Sequence, residues 1–353
     1  METAKYFTQR TPLKLRFGAL ALLIICALSS PFLKAAEEPS SQELLQNPLS
    51  EEKELAETQK EATSQVIATP SGNAPYTLPW QLRSIIPGHG ARLDSAFAFY
   101  DDKNGNFGGV AIASTVSGSY KILPEFAVLL KLGFVNNNPP ANAPSAISFV
   151  NPLVGGLYSF KLSDDFRLGF FLGMTAPLGM GGGNSPDPAT QSANSAGILA
   201  RSAMDNALFA VNYFTVIPGV DLAYIAHGFT FQIEATVLQL TRVRGEQVDK
   251  DPARTNFTSG LEVGYAFTPY ISIESELRYQ RWLENQTVAA SASPATENLS
   301  FAVGPRFQFK AGDLTMKPGI AYAQGISGPM ARGGYTYPTN SDKIIFFDFP
   351  MSF

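Results

Sequence analysis

Charged side chains spaced two residues apart are the groups in this sequence best placed to do chemistry. Glu274, Glu276 and Arg278 alternate with Ile273 and Leu277. Because successive side chains of a β-strand project to opposite faces, one face of this predicted strand carries two carboxylates and a guanidinium, while the other face is apolar. Fixed charges on the wall of an enclosed space can select among ions and polar solutes.

The same division into a charged face and an apolar face recurs from residue 92 onward. The charged candidates are Asp94, Lys131, Lys161, Arg167, Asp221, Glu234, Glu262, Glu274, Glu276, Arg278, Arg306 and Lys317. Small residues on that face leave space between them, and they include Ala96, Ala98, Ala111, Ala113, Gly260, Gly264 and Gly319. We predict that the charged residues line a narrow water-filled or gated pathway. The alternative is that they pair across the lumen and fill it. Acidic residues cluster on the middle strands and basic residues on the others, which would suit zwitterionic or polar solutes.

Residues for covalent or metal catalysis are scarce. A nucleophile must lie within hydrogen-bond reach of its base, yet neither His89 nor His227 is followed by Ser two residues later. The single cysteine, Cys26, lies in a predicted signal peptide, which leaves no His and Cys metal site. The loop 101–106 offers oxygen ligands for Ca²⁺, but a solvated turn is favoured. We therefore predict no hydrolase or other enzyme activity, no cofactor and no metal site.

The composition fits strands that have two chemically different faces. Hydrophobic residues make up 45% of the 353 residues and charged residues only 16%, against about 25% charged in an average protein. The mean hydropathy of +0.00 is too low for a bundle of membrane helices. A net charge of -4 argues against a nucleic-acid partner.

An N-terminal targeting segment is predicted from a basic stretch followed by an apolar one. Four basic residues precede an apolar run over residues 17–28, and small residues follow it, as in a secretory signal peptide. We place cleavage near Ala36, so that residues 1–36 are the signal peptide, with cleavage after Ser29 as the alternative.

Residues 37–91 are predicted to be a periplasmic polar tether and a pre-barrel segment. The stretch 37–78 is rich in Glu, Gln, Ser, Ala and Thr, and it has too few apolar residues to bury a core. We predict a disordered or weakly helical tether, and the alternative is a short plug or a coiled-coil handle. Trp80, which ends the stretch, is expected at a membrane interface.

Connection lengths favour a barrel over a soluble β-sandwich, which would alternate in the same way. Short joins are predicted at 122–125, 163–165, 226–228, 268–270 and 311–313. Longer joins are predicted near 137–145, 179–207, 244–256, 284–297 and 325–342, with a short exception at 102–107. Outer-membrane barrels have short periplasmic turns and longer outer loops. We predict twelve strands over 92–353 with both ends in the periplasm. Ten or fourteen is the alternative, because residues 204–211 could belong to a loop.

The C-terminal residues carry a family resemblance. Apolar residues two apart share one face of the last predicted strand, namely Ile345, Phe347, Phe349, Met351 and the terminal Phe353. In this the chain resembles the bacterial outer-membrane β-barrel superfamily, whose members commonly end in such a strand. The resemblance implies that these residues are the signal read by the barrel-assembly machinery, in the outer membrane of a Gram-negative cell. It also implies contact with outer-membrane lipid and lipopolysaccharide.

The sequence therefore predicts an all-β protein, a transmembrane antiparallel up-and-down β-barrel of about 12 strands. The superfamily includes pores, enzymes, adhesins and secretion units, so fold does not decide function. We predict porin-like passage of small polar solutes through the lumen. The alternative is a structural or adhesive barrel whose outer loops, chiefly 179–207, bind a partner. The sequence identifies neither the solute nor the oligomeric state.

Overall fold

The computed structural model describes residues 76–101, 107–139, 144–283, 297–328 and 343–353. The predicted signal peptide, most of the predicted tether and the candidate Ca²⁺ loop lie outside these residues. The strands, in chain order, are β1 (Gly90–Asp101), β2 (Phe107–Leu123), β3 (Phe126–Asn138), β4 (Ala146–Phe149), β5 (Leu153–Lys161), β6 (Phe166–Thr175), β7 (Tyr213–Ala226), β8 (Phe229–Arg242), β9 (Ala253–Thr268), β10 (Ile271–Trp282), β11 (Glu297–Phe307), β12 (Phe309–Ala311), β13 (Leu314–Met316), β14 (Gly319–Ser327) and β15 (Lys343–Ser352). Two helices, α1 (Pro188–Ala200) and α2 (Asn206–Phe209), lie between β6 and β7.

Within the described residues, neither helix is both long and apolar enough to cross a membrane.

Twelve of the described strands form a closed antiparallel circuit. Each long strand pairs with the next along the chain, and β15 returns to pair with β1 from Gly90↔Ser352 to Phe99↔Lys343. The short strand β4 pairs with β3 just before β5 does, so these two pieces form one interrupted wall strand. The strands β12 and β13 form a small hairpin that replaces the fifth predicted turn. The predicted twelve-stranded barrel, closed by the C-terminal strand, is confirmed.

The outer surface of the barrel is apolar. Along β3, Ala127, Gly133 and Val135 are buried, while the residues between them alternate outward. Leu130 is 49% exposed and Leu172 is 58% exposed. A continuous outer surface of such side chains would be unfavourable in water. Among the twelve described strands of the circuit, closure leaves none at a free edge of the sheet, which is the condition for spanning a hydrocarbon layer. This surface and this circuit make the fold a transmembrane β-barrel.

The two ends of the barrel differ, and the names turn end and loop end are used for them below. The turn end carries the short joins at 124–125, 162–165, 227–228 and 269–270, the start of β1 and the end of β15. The loop end carries the longer joins, of which 176–212 contains both helices. Strand β7 begins only at Tyr213, so residues 204–211 belong to a loop, which was the uncertainty in the predicted strand count.

Two pieces of the chain occupy the lumen. Residues 76–89, called here the luminal segment, lie inside the barrel, where Trp80 is 1% exposed and Ile85 is fully buried. Residues 176–212, called here the insert, fold inward from the loop end, and α1 packs against β1, β2, β3 and β4. The space beside the small inward residues of the wall is therefore filled by the luminal segment and the insert. Ala96, Ala98, Ala111 and Ala113 belong to the apolar cluster that buries Ala193 and Ala200 of α1.

Candidate functional site

A buried carboxylate holds the centre of the luminal segment. Glu276, in the middle of β10, accepts hydrogen bonds from the backbone N–H groups of Trp80 at 2.8 Å, Gln81 at 3.0 Å and Leu82 at 3.4 Å. The guanidinium Nε of Arg278 lies 2.5 Å from the same carboxylate. Charge-assisted bonds of this kind are about twice as strong as neutral ones, so Glu276 anchors the segment to the wall.

Three more wall residues bind the luminal segment on either side of this anchor. Glu234 accepts a bond from the Arg83 backbone N–H at 2.8 Å, and its other oxygen lies 3.1 Å from the Arg83 guanidinium. Asp221 lies 3.7 Å from the same guanidinium. The Thr77 hydroxyl donates to Glu262 at 3.1 Å. The acidic residues of β7 to β10 thus face the chain's own segment.

Trp80 lies in the lumen, so its predicted position at a membrane interface is wrong. Its indole N–H donates to the Glu274 carbonyl at 3.2 Å, and the Arg306 guanidinium lies 4.2 Å from its ring centroid. Arg306 also pairs with Asp348 at 2.7 Å, and Asp348 pairs with Arg92 at 2.8 Å. The indole is stable inside the lumen because its ring stacks on the Arg306 guanidinium and its N–H is bound by the Glu274 carbonyl.

Glycine residues of the wall make room for the luminal segment. A Cβ atom at Gly319 would lie 2.6 Å from the Trp80 ring, and side chains at Gly260 and Gly264 would collide with Leu82 and Thr77. The sequence pattern predicts open space at these glycines, and in the structure the luminal segment fills that space. They are the positions where the backbone of the wall lets side chains of the segment approach closely.

The insert is joined to the barrel wall by an ion-pair network. Arg201 bonds to Asp94 on β1, and its Nε lies 2.8 Å from Asp205. The other Asp205 oxygen lies 3.0 Å from the Lys131 ammonium on β3. Burial alone would raise the pKa of Asp205, but Lys131 and Arg201 outweigh it and hold that pKa well below its usual range. Burial likewise disfavours charged Arg201, but Asp94 and Asp205 outweigh it and raise its pKa.

The start of the insert helix and the turn that follows it are both defined by local chemistry. Asp187 caps α1 by accepting from the Thr190 N–H at 2.9 Å and its hydroxyl at 2.6 Å, a favoured N-cap arrangement. After α1, Ser202 and Ala203 take φ values of 55° and 57°, which is uncommon for residues with a side chain. This reversal places the Ser202 hydroxyl 2.9 Å from Arg278 Nη1, on the inner wall.

A cavity of about 420 Å³ remains between the luminal segment and the wall, to which β1 to β3, β5 to β9, β13 and β15 contribute. At the turn end it reaches Ser119 and Ser352. Towards the loop end it stops at Arg201, Asp205 and Leu208 of the insert. The cavity is therefore a passage along one side of the lumen that the insert closes.

The predicted lining residues divide into three groups. Eight are buried, namely Asp94, Asp221, Glu234, Glu262, Glu274, Glu276, Arg278 and Arg306. Lys131, Arg167 and Lys317 are half-buried, and Lys161 is exposed at the turn end, opposite Arg167 in register. Most of the buried ones pair with one another or with the luminal segment, so in this conformation they offer little free charge to a pathway. Their role as pore-lining residues stays a prediction.

Five charged residues of the site were not among the predicted ones. Arg92 and Asp348 share the inward parity of Asp94 and of the last strand, so strict alternation would have found them. Arg83, Arg201 and Asp205 lie outside the strands, where no periodicity marks them.

His89 lies in an aromatic cluster and His227 lies in a tight turn. His89 stacks on Phe353 with ring centroids 6.5 Å apart and meets Tyr120 edge-on at 4.8 Å. His227 forms the tight turn between β7 and β8 with a φ of 53°. In the part of the chain that the structure describes, no group of three or more His, Cys, Asp or Glu residues is arranged for a metal ion.

The comparisons with known proteins bear on the fold. No protein-family model matches the chain, and no curated protein matches it in sequence. Solved structures similar to it include the NanC porin, with 13% identity, 74% of this chain and 98% of that chain covered, and a TM-score of 0.46. An outer membrane channel from Pseudomonas putida has 12% identity, with 79% of this chain and 100% of its own covered, and a TM-score of 0.49. The translocator domain of the autotransporter NalP from Neisseria meningitidis has 9% identity, with 86% of this chain and 96% of its own covered, and a TM-score of 0.40.

At these identities and TM-scores the likeness carries no conclusion about function. The fold rests on the strand circuit itself, which is that of a closed twelve-stranded antiparallel transmembrane barrel.

Proposed function

We propose that this protein is an outer-membrane channel for small solutes, described here in a closed conformation. The observation that carries the proposal is the cavity of about 420 Å³ that runs along the wall from the turn end and stops beneath the insert. A purely structural barrel has no need of such a passage, since small barrels fill their interior with side chains.

The proposed location follows from the surface and from the ends of the chain. The apolar belt requires a bilayer, and closed antiparallel barrels with short turns at one end are typical of the outer membrane. The predicted signal peptide would deliver the chain to the periplasm, so the turn end would face the periplasm. On β15, Phe347 and Phe349 face outward, and Phe353 is 69% exposed. This exposure leaves them available to the barrel-assembly machinery.

The insert would act as the gate of this channel. It closes the cavity at the loop end through Arg201 and Asp205, which bond to Asp94 and Lys131 of the wall. An ion-pair network can break without loss of the barrel, because the wall is held by its own strand ladder. Opening would therefore consist of moving the insert outward while the barrel persists.

Planar-bilayer recording tests the proposal. We expect rare or small conductance steps from the wild-type barrel and larger, frequent steps from the double variant Asp94→Asn with Asp205→Asn, which removes both carboxylates that bind Arg201 of the gate. The variant Glu125→Gln removes an exposed carboxylate at the turn end and serves as the control. Silence from all three proteins, each shown to be folded by heat-modifiable gel migration, would contradict a channel. It would favour the structural or adhesive barrel.

A further inference from the structure

We propose that the cavity binds a small amphiphilic carboxylate, a molecule with an apolar body and one anionic end, with the anion at Lys131. This inference rests on the proposed channel and names the solute class that it would pass. It replaces the small polar solute predicted from the charged residues, because most of the buried ones among them pair with one another or with the luminal segment.

The wall of the cavity is apolar over most of its length. It is lined by Leu129 on β3, Leu153 and Leu157 on β5, Phe171 on β6, Ile217 on β7 and Leu238 on β8. Leu82 of the luminal segment and Leu208 of the insert close the apolar surface from the lumen side. A volume of about 420 Å³ falls in the range of small-molecule sites, which is roughly 300–1,000 Å³. An apolar body would gain free energy from burial there, and a fully polar solute would lose hydration without compensation.

Lys131 differs from the other cations that face this cavity. Three arginines each pair with a carboxylate of the barrel wall, namely Arg92 with Asp348, Arg83 with Glu234 and Arg201 with Asp94. Lys317, at the turn end, donates to the backbone carbonyl of Tyr76 at 3.1 Å. Lys131 is bound by the two oxygens of Asp205 at 3.0 Å and 3.1 Å, and Asp205 belongs to the insert. Its anion is therefore supplied by the part that must move for the channel to open.

A ligand carboxylate would present to Lys131 the same two-oxygen arrangement that Asp205 presents now. Lys131 follows Leu129 by two residues on β3, so the ammonium and the apolar wall belong to one face of one strand. A molecule whose apolar body lies against Leu129 and Leu157 would bring its anionic end to the boundary between the cavity and the insert. Binding there would compete with Asp205 and would weaken one of the two ion pairs that join the gate to the described wall.

Fluorescence quenching provides a local test, because the chain has only two tryptophans and Trp80 lines the cavity. In the Trp282→Phe background, incorporated in lipid nanodiscs, 10-bromodecanoate should quench Trp80 saturably. The uncharged 10-bromodecanol should bind about tenfold more weakly than the carboxylate. In the Lys131→Met variant the carboxylate should lose this advantage and bind no better than the alcohol.

Two variants separate the cavity from the surrounding lipid. Leu129→Phe adds bulk inside the cavity and should weaken the quenching about tenfold. Leu132→Phe adds the same bulk on the lipid-facing side of β3, where residue 132 is 39% exposed, and should leave the quenching unchanged. Equal quenching by the acid and the alcohol in the wild-type lining would overturn the anion assignment. Equal quenching in both Phe variants would overturn the site.

Quenching requires no conductance, so it distinguishes the two proposals. Saturable, Lys131-dependent quenching in a barrel that is silent in planar bilayers would leave the binding site standing and contradict the channel. Conductance without quenching would support the channel and contradict the binding site.

Discussion

Lys131 on the barrel wall lies 3.0 Å from Asp205 in the insert, and this ion pair joins the element that closes the cavity to the wall that lines it. Asp205 also lies 2.8 Å from Arg201, which bonds in turn to Asp94 on β1. Four charged groups, two from the wall and two from the insert, therefore sum to zero at the boundary of the cavity. Removing one of them leaves an uncompensated charge at a buried place.

Asp205→Asn should loosen the insert without unfolding the barrel. Arg201 is 1% exposed, and removing one partner of a buried ion pair costs about 3–5 kcal/mol. Because Asp205 itself is partly exposed and Asp94 still binds Arg201, we expect the lower part of that range. Limited proteolysis should then cut within residues 176–212 faster than in the wild type. The control Glu125→Gln removes an exposed carboxylate at the turn end. If residues 176–212 were cut equally fast in this control, the ion pairs of Asp205 would not be what holds the insert.

The insert should also loosen in acid. The pKa of Asp205 is lowered in the folded protein, so its stabilising effect is complete above the pKa of an unfolded aspartate, about 3.9. It is lost as the pH falls through the lower folded pKa. We expect proteolysis of residues 176–212 by an acid-active protease to rise as the pH falls below about 4. In Asp205→Asn, which has no carboxylate to titrate at this position, cutting should already be fast at the upper end of the pH range of the protease and should change less as the pH falls. An equal acid response in both proteins would assign the effect to other carboxylates.

The wall of this barrel was predictable from the sequence, and the content of its lumen was not. Alternation along strands such as Phe126–Asn138 follows from the requirement that one face meets lipid, which every wall strand must satisfy. The luminal segment has no such periodicity, because its backbone N–H groups and the Thr77 hydroxyl are bound one at a time by Glu276, Glu234 and Glu262. The wall glycines carried the missing signal, but a glycine that faces empty space and one that faces a packed side chain look the same in a sequence.

The glycines of β9 provide a direct test of how the luminal segment is seated. Gly260→Leu should displace the segment, since a side chain at this position would collide with Leu82. Trypsin should then cut after Arg83, which is protected in the wild type by its bonds to Glu234. Gly118→Ala, at a strand position where an added Cβ meets nothing within 4 Å, is the control. Unchanged protection in Gly260→Leu would show that the segment does not depend on this close approach.

Replacing the central carboxylate distinguishes a packed lumen from an open one. Glu276 and Arg278 are fully buried, so Glu276→Gln should leave Arg278 without its counter-charge and turn an amide towards the N–H groups of residues 80–82. We expect the free energy of unfolding to fall by about 3–5 kcal/mol, the usual cost of breaking a buried pair. In an open lumen the two groups would be solvated, and the change would be about 0–1 kcal/mol.

Urea unfolding from lipid vesicles measures this difference. Glu125→Gln is the matched control, because it makes the same substitution at an exposed turn position, where we expect no measurable loss. The luminal segment should report the change as well, with trypsin cutting after Arg83 at lower urea concentrations in Glu276→Gln than in the control. A variant that kept wild-type stability and wild-type protection of Arg83 would mean that water, and not the segment, occupies the centre of the barrel. The cavity would then be part of a wider opening, and the predicted mixed-charge pathway would regain its support.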